Sequence, residues 1–465
     1  MDNQIQQLFR DGSTLLQGGN AEGALERFRN AIFFDRSNPT LYLYAGAALH
    51  DLGRFEEAIA SYRKALNSAP GMGEIHNNLG NSLLALGLFA EADDSFSRAA
   101  AILTTSPVPL AARATALQGL GKISEAEAVC RKAIQLDPAF ASAHWNLALN
   151  LLLQGRYEEG WQEYEWRWRK PDFTSPCRHT DIPIWDGSPL KGRTILLHAE
   201  QGFGDAIQFI RYAPLVAERG GTVVIECHRQ LVRLFQGVAA VHSVVPFGAV
   251  LPSLSCQVPL LTLPCIFGTT LQTIPSAYPY LFASAEKHLK WTDLMSAYPI
   301  TCRVGLVWAG KKYPDPFRSC SLAELAPLAS VNNVTFFSLQ LGEEAGQVNS
   351  PPAGMNLIDL ADQIGDFADT AALIEQLDLV ITIDTAVAHL AGAMGKPLYL
   401  MTPFAPDWRW LLGCNDSLWY PSARIFRQKQ SGDWSEVITM VQAALETFSH
   451  TAINLTQTSR NQDVV

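Results

Sequence analysis

No two of the eight cysteines are spaced C-x-x-C; they stand at 130, 177, 227, 256, 265, 302, 320 and 414 of a 465-residue chain. That scatter excludes a disulfide frame or a cysteine zinc site and fits reduced, mostly buried thiols of a cytoplasmic protein. A basic tract is missing too. Acidic residues outnumber basic ones 45 to 35, the formal charge is −10, and nucleic acid is not an expected partner. No uninterrupted apolar run approaches the roughly 18 residues of a membrane span. The polar start MDNQIQQLFRDG lacks the pattern of a signal peptide. Charged residues are few, 17% against 48% apolar, so the chain has ample core and is not disordered. Its length suits about three domains of ordinary size.

What is present begins with a repeat. Glycines at 19, 53, 87, 121 and 155 lie 34 residues apart and open the phrases GNAEGA, GRFEEA, GLFAEA, GKISEA and GRYEEG. A small column keeps register at Gly12, Gly46, Gly80, Ala114 and Ala148. A second runs through Ala24, Ala58, Ala92, Ala126 and Gly160, with Phe28, Tyr62, Phe96, Cys130 and Tyr164 four positions on. Small residues let the helices of a pair cross closely, and large ones fill the gap against the next pair. The pattern resembles the tetratricopeptide repeat and predicts an α-solenoid over residues 1–168. Such a stack presents a groove for a peptide or for a second copy of the chain; a spacer or dimerisation surface is the other reading.

Trp161, Tyr164, Trp166 and Trp168 crowd the end of the solenoid, too many rings to leave in water, and Trp185 follows. Residues 169–192, rich in proline and without period, read as an ordered linker. Strands and helices then alternate twice, over 193–300 and 301–450, which predicts two Rossmann-like halves facing a cleft; residues 451–465 form a polar tail. The first half opens with the strand Thr194–His198. The turn Gln201, Gly202, Gly204 and Asp205 follows at a strand's carboxyl end, where open α/β folds bind ligands. Pro214 should break the helix after it, and the run from Pro259 reads as another strand. In the second half Arg303–Trp308 precedes a basic loop with Lys311, Lys312 and Arg318. Ser321 and Glu324 have capping-box spacing, Gln340 ends a strand, and Glu436–Phe448 forms a terminal helix.

The stretch LVITIDTAVAHLAGAMGKP, 379–397, reads as a buried strand, a turn and a helix. Asp384 or Thr385 can cap the helix, and Gly395 with Pro397 stops it. Val387, Leu390, Ala391 and Met394 form the stripe that packs on a sheet. His389 lies about 200° round from Val387, away from that stripe. Thr385 and His389 share a face beside a helix start, where the free N–H groups of Ala386, Val387 and Ala388 favour an anion. Ala386, Ala388, Gly392 and Ala393 would let backbone and ligand approach closely. A diphosphate site is one reading, and an ordinary strand–helix unit with a solvent-facing histidine is the other.

AEQGFGDAIQFIRY at 199–212, VGLVWAG with the later Arg318-Ser319, and IDTAVAHLAGAMGKP at 383–397 resemble glycosyltransferases of the heptosyltransferase type, family 9. The solenoid in front is similar to the architecture of O-linked N-acetylglucosamine transferases. Together they resemble the bacterial tetratricopeptide-repeat glycosyltransferases. The resemblance implies a GT-B fold with a nucleotide-diphosphate sugar, a substrate rather than a cofactor, held mainly by the second half. Asp384, Thr385, Ala386 and His389 then match the diphosphate-binding helix start, and Asp205 matches the aspartate proposed as general base. Lys311 and Arg318 become candidates for the cation on the leaving diphosphate, Gln340 for a nucleotide contact, and Gln201, Gly202 and Gly204 for the substrate turn. With no D-x-D pair, the implied reaction is inverting and metal-independent, on a protein held by the repeats. A non-catalytic repeat scaffold and an enzyme acting on a glycan are the alternatives. The O-linked N-acetylglucosamine transferases carry histidine and threonines where this chain has Asp384, Thr385 and Ala386, so the resemblance carries no sugar preference.

Overall fold

The computed structural model describes residues 2–299, 301–311 and 316–462, so Lys312 lies outside the described residues. The chain divides into two compact units, Met1–Leu151 with Arg169–Pro171, and Leu152–Trp168 with Asp172–Val465.

The first unit is helical. Its helices are α1 (Asp2–Gln17), α2 (Ala21–Phe34), α3 (Pro39–Asp51), α4 (Phe55–Ser68), α5 (Gly73–Ala85), α6 (Phe89–Ile102), α7 (Val108–Gly119), α8 (Ile123–Leu136) and most of α9 (Ala141–Leu153). The 34-residue period has a backbone cause. Gly19, Gly53, Gly87 and Gly121 sit at φ of 79°, 71°, 73° and 70°. After each, the next N–H returns to a carbonyl one turn back: Asn20 to Leu15, Arg54 to Leu49, Leu88 to Leu83 and Lys122 to Leu117. This is the glycine-dependent helix stop, and it reverses the chain at every unit.

The small and large columns meet inside the pair, and Phe28 also reaches Tyr44 of the next pair, with ring centroids 5.7 Å apart. A Cβ on Gly12, Gly46 or Gly80 would fall 2.7, 2.5 or 2.6 Å from the ring of Phe28, Tyr62 or Phe96, respectively. Each ring is seated on its own pair's glycine. In the fourth repeat Ala114 replaces the glycine, and the ring shrinks to Cys130; both are fully buried. The two changes go in opposite directions, a larger seat with a smaller occupant, and so compensate in part.

The second unit begins earlier than residue 169, because α10 (Tyr157–Tyr164) carries side chains that pack into it. Trp161 donates from Nε1 to the carbonyl of Thr269 (3.0 Å), and Trp419 donates to the hydroxyl of Tyr157 (2.9 Å). Trp161 stacks edge-on against Trp408 at 5.2 Å. Buried rings of this size find polar partners as well as apolar area. Within W-R-W, Arg167 is fully buried and forks onto Glu200, with Nη2–Oε1 at 2.8 Å and Nε–Oε2 at 3.1 Å.

Two parallel sheets follow. The first joins β1 (Thr194–His198), β2 (Thr222–Cys227), β3 (Val241–Pro246) and β4 (Cys256–Pro259) in the order β3-β2-β1-β4. The second joins β5 (Cys302–Val307), β6 (Val334–Ser338), β7 (Leu357–Asp359), β8 (Leu379–Ile383), β9 (Leu398–Thr402) and β10 (Ala423–Arg427) in the order β10-β9-β8-β5-β6-β7. Among the helices are α11 (Phe203–Phe209), α12 (Ala213–Ala217), α13 (Val232–Phe235), α14 (Leu263–Ile266), α15 (Ala285–Ser296), α16 (Phe367–Glu375), α17 (Ala386–Ala393) and α18 (Ser435–Gln462). The chain after α11 breaks ahead of Pro214, as expected. The run from Pro259 does not continue as a strand: β4 ends there, and Leu260–Thr262 turns as 3-10 helix into α14. The terminal helix runs past Phe448 into the stretch expected as a tail. No helix of the described residues is long and apolar enough to cross a membrane, and all eight cysteines are free thiols.

Candidate functional site

The carboxyl ends of β1 and β8 bring α11 and α17 together, and these helices pack on one another. A Cβ on Gly204 of α11 would lie 2.6 Å from Cδ2 of His389, and one on Gly392 would lie 2.5 Å from the Tyr420 ring. The small residues of α17 therefore admit protein. Ala388 and Ala393 are fully buried.

His389 is accordingly no solvent-facing ligand. It is 5% exposed, bonds through Nδ1 with the Tyr420 hydroxyl (2.8 Å), and lies stacked 5.5 Å from Trp410. Burial, with the charges of Arg409, Arg211 and Arg318, holds its pKa well below the usual histidine value, so the ring is neutral. Its Nε2 stands 3.8 Å from Oδ1 of Asp384.

The start of α17 remains open in a different way. Neither Asp384 nor Thr385 caps it: Thr385 occupies the cap position without a side-chain bond to the helix, and its hydroxyl pairs with that of Thr382 (3.2 Å). The amides of Ala388 and His389 reach back to the Thr385 carbonyl. Among the described residues, none accepts from the N–H groups of Ala386 or Val387. Two half-exposed donors at the positive end of a helix are thus uncommitted. The helix stops as expected at Gly395, φ 74°, with Lys396 N–H returning to the Ala391 carbonyl.

Asp384 borders these donors. Burial pushes its carboxyl up to about 7, and the Asp407 carboxylate adds to the push, while Trp410, Arg409 and Arg318 oppose it. A carboxyl raised above its unfolded value binds a proton that the unfolded chain lacks, so folding stability declines as pH rises from the ordinary aspartate range to about 7. The penalty at higher pH is on the order of 4 kcal/mol. Asp384→Asn, which mimics the neutral acid, should therefore match the parent near pH 4 and exceed it by that order near pH 8. Chemical unfolding at the two pH values, followed by tryptophan emission, checks it; equal gains at both would show that ionisation is not the cause.

On the first half, Asp205 has 17% of its side chain exposed. Its Oδ2 accepts the N–H of Gly202 (2.8 Å), and its Oδ1 pairs with Arg409. Burial raises its pKa, against the pull of Arg409 and the Gly202 amide. Each carboxylate oxygen keeps a second lone pair. Gln201 supports the turn in strained backbone at φ 57°: its N–H donates to the Ser175 hydroxyl (2.8 Å), and its Oε1 accepts from Tyr164 (3.1 Å).

Arg409 is the residue that the sequence reading missed. It is 7% exposed, follows β9 in the run D-W-R-W, and lies 4.4 Å over the Trp408 ring. Its Nη1 donates to both carboxylate oxygens of Asp407 (2.9 and 3.1 Å), while Nη2 reaches across to Asp205 and Nε to Gln208. An arginine between two tryptophans at a strand's exit was the only available signal.

Gln340 is not placed for a nucleotide. Its Oε1 accepts from the N–H groups of Trp308 (3.1 Å) and Ala309 (2.9 Å), and its Nε2 donates to the carbonyls of Ala309 (3.0 Å) and Leu341 (3.1 Å). A saturated, buried amide holds the loop after β5 in shape. From that loop Arg318 bonds back to the Lys311 carbonyl (2.9 Å), and its Nε is buried with no partner among the described residues. Arg318 acts on Asp384 and His389, whereas the Lys311 charge acts on His228 of the first half. The two candidate cations therefore serve different sides.

Residues 323–402 match the family described as glycosyltransferase family 9 (heptosyltransferase), and residues 46–87 and 111–165 match tetratricopeptide repeat families. The chain joins tetratricopeptide repeats to a glycosyltransferase family 9 domain. The stretch matching the glycosyltransferase family contains Gln340 and Asp384–His389; Asp205, Arg318 and Arg409 lie outside it. Protein FlbA of Caulobacter vibrioides is 28% identical over 448 residues, covering 86% of this chain and 72% of that protein. Among solved structures, TTC0263, a tetratricopeptide repeat protein of Thermus thermophilus, is 20% identical over 35% of this chain and 88% of its own, with a TM-score of 0.31. YrrB, a tetratricopeptide repeat protein with an unusual peptide-binding site, is 22% identical over 36% of this chain and 86% of its own, also with a TM-score of 0.31.

Proposed function

We propose that this glycosyltransferase has a GT-B arrangement and moves a sugar, with inversion and without a metal, from a nucleoside-diphosphate donor to a protein presented by the repeats. The observation that carries the reading is the start of α17. Two uncapped amides, Ala386 and Val387, follow Asp384, on whose carboxyl Arg318 acts, and that half-buried guanidinium makes no ion pair among the described residues. A diphosphate supplies the acceptors that these donors lack. Asp384, which is protonated below about pH 7, does not repel it there.

Negative charge grows on the departing diphosphate in the transition state, where α17 and Arg318 meet it; Arg409 adds a second guanidinium at the cleft. Asp205, on the opposite half, takes the proton from the acceptor hydroxyl as that oxygen attacks the sugar carbon. A single displacement by one base gives inversion. Thermal-shift measurements with UDP, ADP, GDP and their sugars test donor binding, since a ligand at a hundred times its Kd adds about 2.7 kcal/mol. A nucleotide that stabilises the chain, and transfer that gives the opposite anomer with or without a chelator, support the reading. No stabilisation by any of them would leave the non-catalytic scaffold.

A further inference from the structure

We propose that the carboxyl edge of the four-stranded sheet holds a subsite for a carboxylate on a peptide acceptor, built by Arg178, His228 and Lys311 around the rings of Phe203 and Phe247. This rests on the glycosyltransferase reading for its purpose, though not for its chemistry.

The segment ahead of β1 runs over that edge. Ser175 holds Gln201, and Arg178 donates from Nη2 to the carbonyl of Ala199 (2.6 Å), next to the turn that carries Asp205. The Arg178 guanidinium lies 3.8 Å from the centroid of the Phe247 ring. His228 meets the same ring at 4.6 Å and Phe203 of α11 at 4.8 Å. Lys311 comes from the loop after β5, and its charge and that of Arg178 both act on His228.

These donors are short of acceptors. The other buried arginines are provided for: Arg167 has Glu200, Arg409 has Asp205 and Asp407, and Arg211 has the Gln208 and Trp419 carbonyls and the Tyr280 hydroxyl. Arg178 is half-buried with a single carbonyl, and no carboxylate among the described residues lies within salt-bridge reach of it or of Lys311. Glu226, the nearest acid on β2, is taken by His179 at 2.7 Å. Among the described residues, the Arg178 Nε and the His228 Nδ1 are both buried without a partner. In a chain of net charge −10, Arg178, half-buried over the Phe247 ring and without a counter-ion among the described residues, calls for an anion from outside, and the exposed Lys311 adds positive charge that reaches His228. A carboxylate matches the planar fork of arginine, and the repeats favour a peptide as its bearer.

The test is fluorescence anisotropy of the full chain with two labelled serine peptides that differ only in flanking glutamates or glutamines. The glutamate peptide is expected to bind at least about tenfold tighter, with the gap closing at high salt. Arg178→Met should abolish the preference and Arg178→Lys keep part of it, both with unchanged melting curves and nucleoside-diphosphate binding. His228→Gln, which removes no charge at neutral pH, should keep most of it. Equal or undetectable binding of both peptides, or a preference that survives Arg178→Met, overturns the proposal. So does discrimination confined to a glucuronide over the matching glucoside, which would make the acceptor a glycan. Loss of nucleotide binding by the parent chain would instead sink the glycosyltransferase reading and leave the peptide result standing.

Discussion

Asp205→Asn should bind the sugar nucleotide with the parent's dissociation constant and turn it over about a hundred to ten thousand times more slowly. The amide keeps the shape of the carboxylate and can still accept the Gly202 N–H, so the turn after β1 survives. What it loses is the ability to hold a proton from the acceptor. The diphosphate donors are on α17, and Asp205 does not touch them. The pH profile gives a second reading of the same group. Burial raises the Asp205 carboxyl, and a base must be ionised, so parent activity should fall on the acid side through a value above the ordinary aspartate range. An equal turnover for Asp205→Asn would remove Asp205 from the chemistry and favour the scaffold.

Arg409→Met should cost about 3–5 kcal/mol of folding stability in chemical unfolding, because it strands charges instead of merely deleting a contact. Methionine keeps apolar contact with Trp408, but Asp205 and Asp407 lose the guanidinium between them. With the side chains of Arg409 and Asp205 only 8% and 17% exposed, water does little to replace it. The double variant Asp205→Asn with Arg409→Met should lose less than the two single changes added together, by about 0.5–3 kcal/mol, since the neutral amide leaves one charge fewer unpaired. Strict additivity would mean that Arg409 holds the halves through packing alone. In Arg409→Met the acid limb of any activity should also move to higher pH, because the pull that keeps Asp205 ionised is gone.

The repeats were legible because a backbone requirement writes itself into the sequence at a fixed interval. A helix that ends in the left-handed region needs glycine there, and the 34-residue spacing of those glycines is the length of one helix pair. The capping box at Ser321 and Glu324 was read correctly, with Glu324 Oε2 accepting the Ser321 N–H at 2.6 Å, although the helix it opens is 3-10 and contains Pro327. The site was less legible. Alanine and glycine on the outer face of α17 say only that something comes close; whether that is ligand or protein depends on Gly204 and Tyr420, which no local pattern connects to His389. Arg409 lies 204 residues from Asp205, and Arg167 lies 33 from Glu200, so neither pair has a periodic signature. Gln340 stood at the right strand end, yet its amide went to the backbone of the neighbouring strand's exit.

The measurement that bears most directly on all of this is a crystal structure of the chain with whichever nucleoside diphosphate gives the largest thermal shift. Phosphate oxygens are expected about 3 Å from the nitrogens of Ala386 and Val387, with Arg318 against them and Asp205 on the opposite half. Phosphates bound elsewhere, with those two amides closed by a protein group, would contradict it.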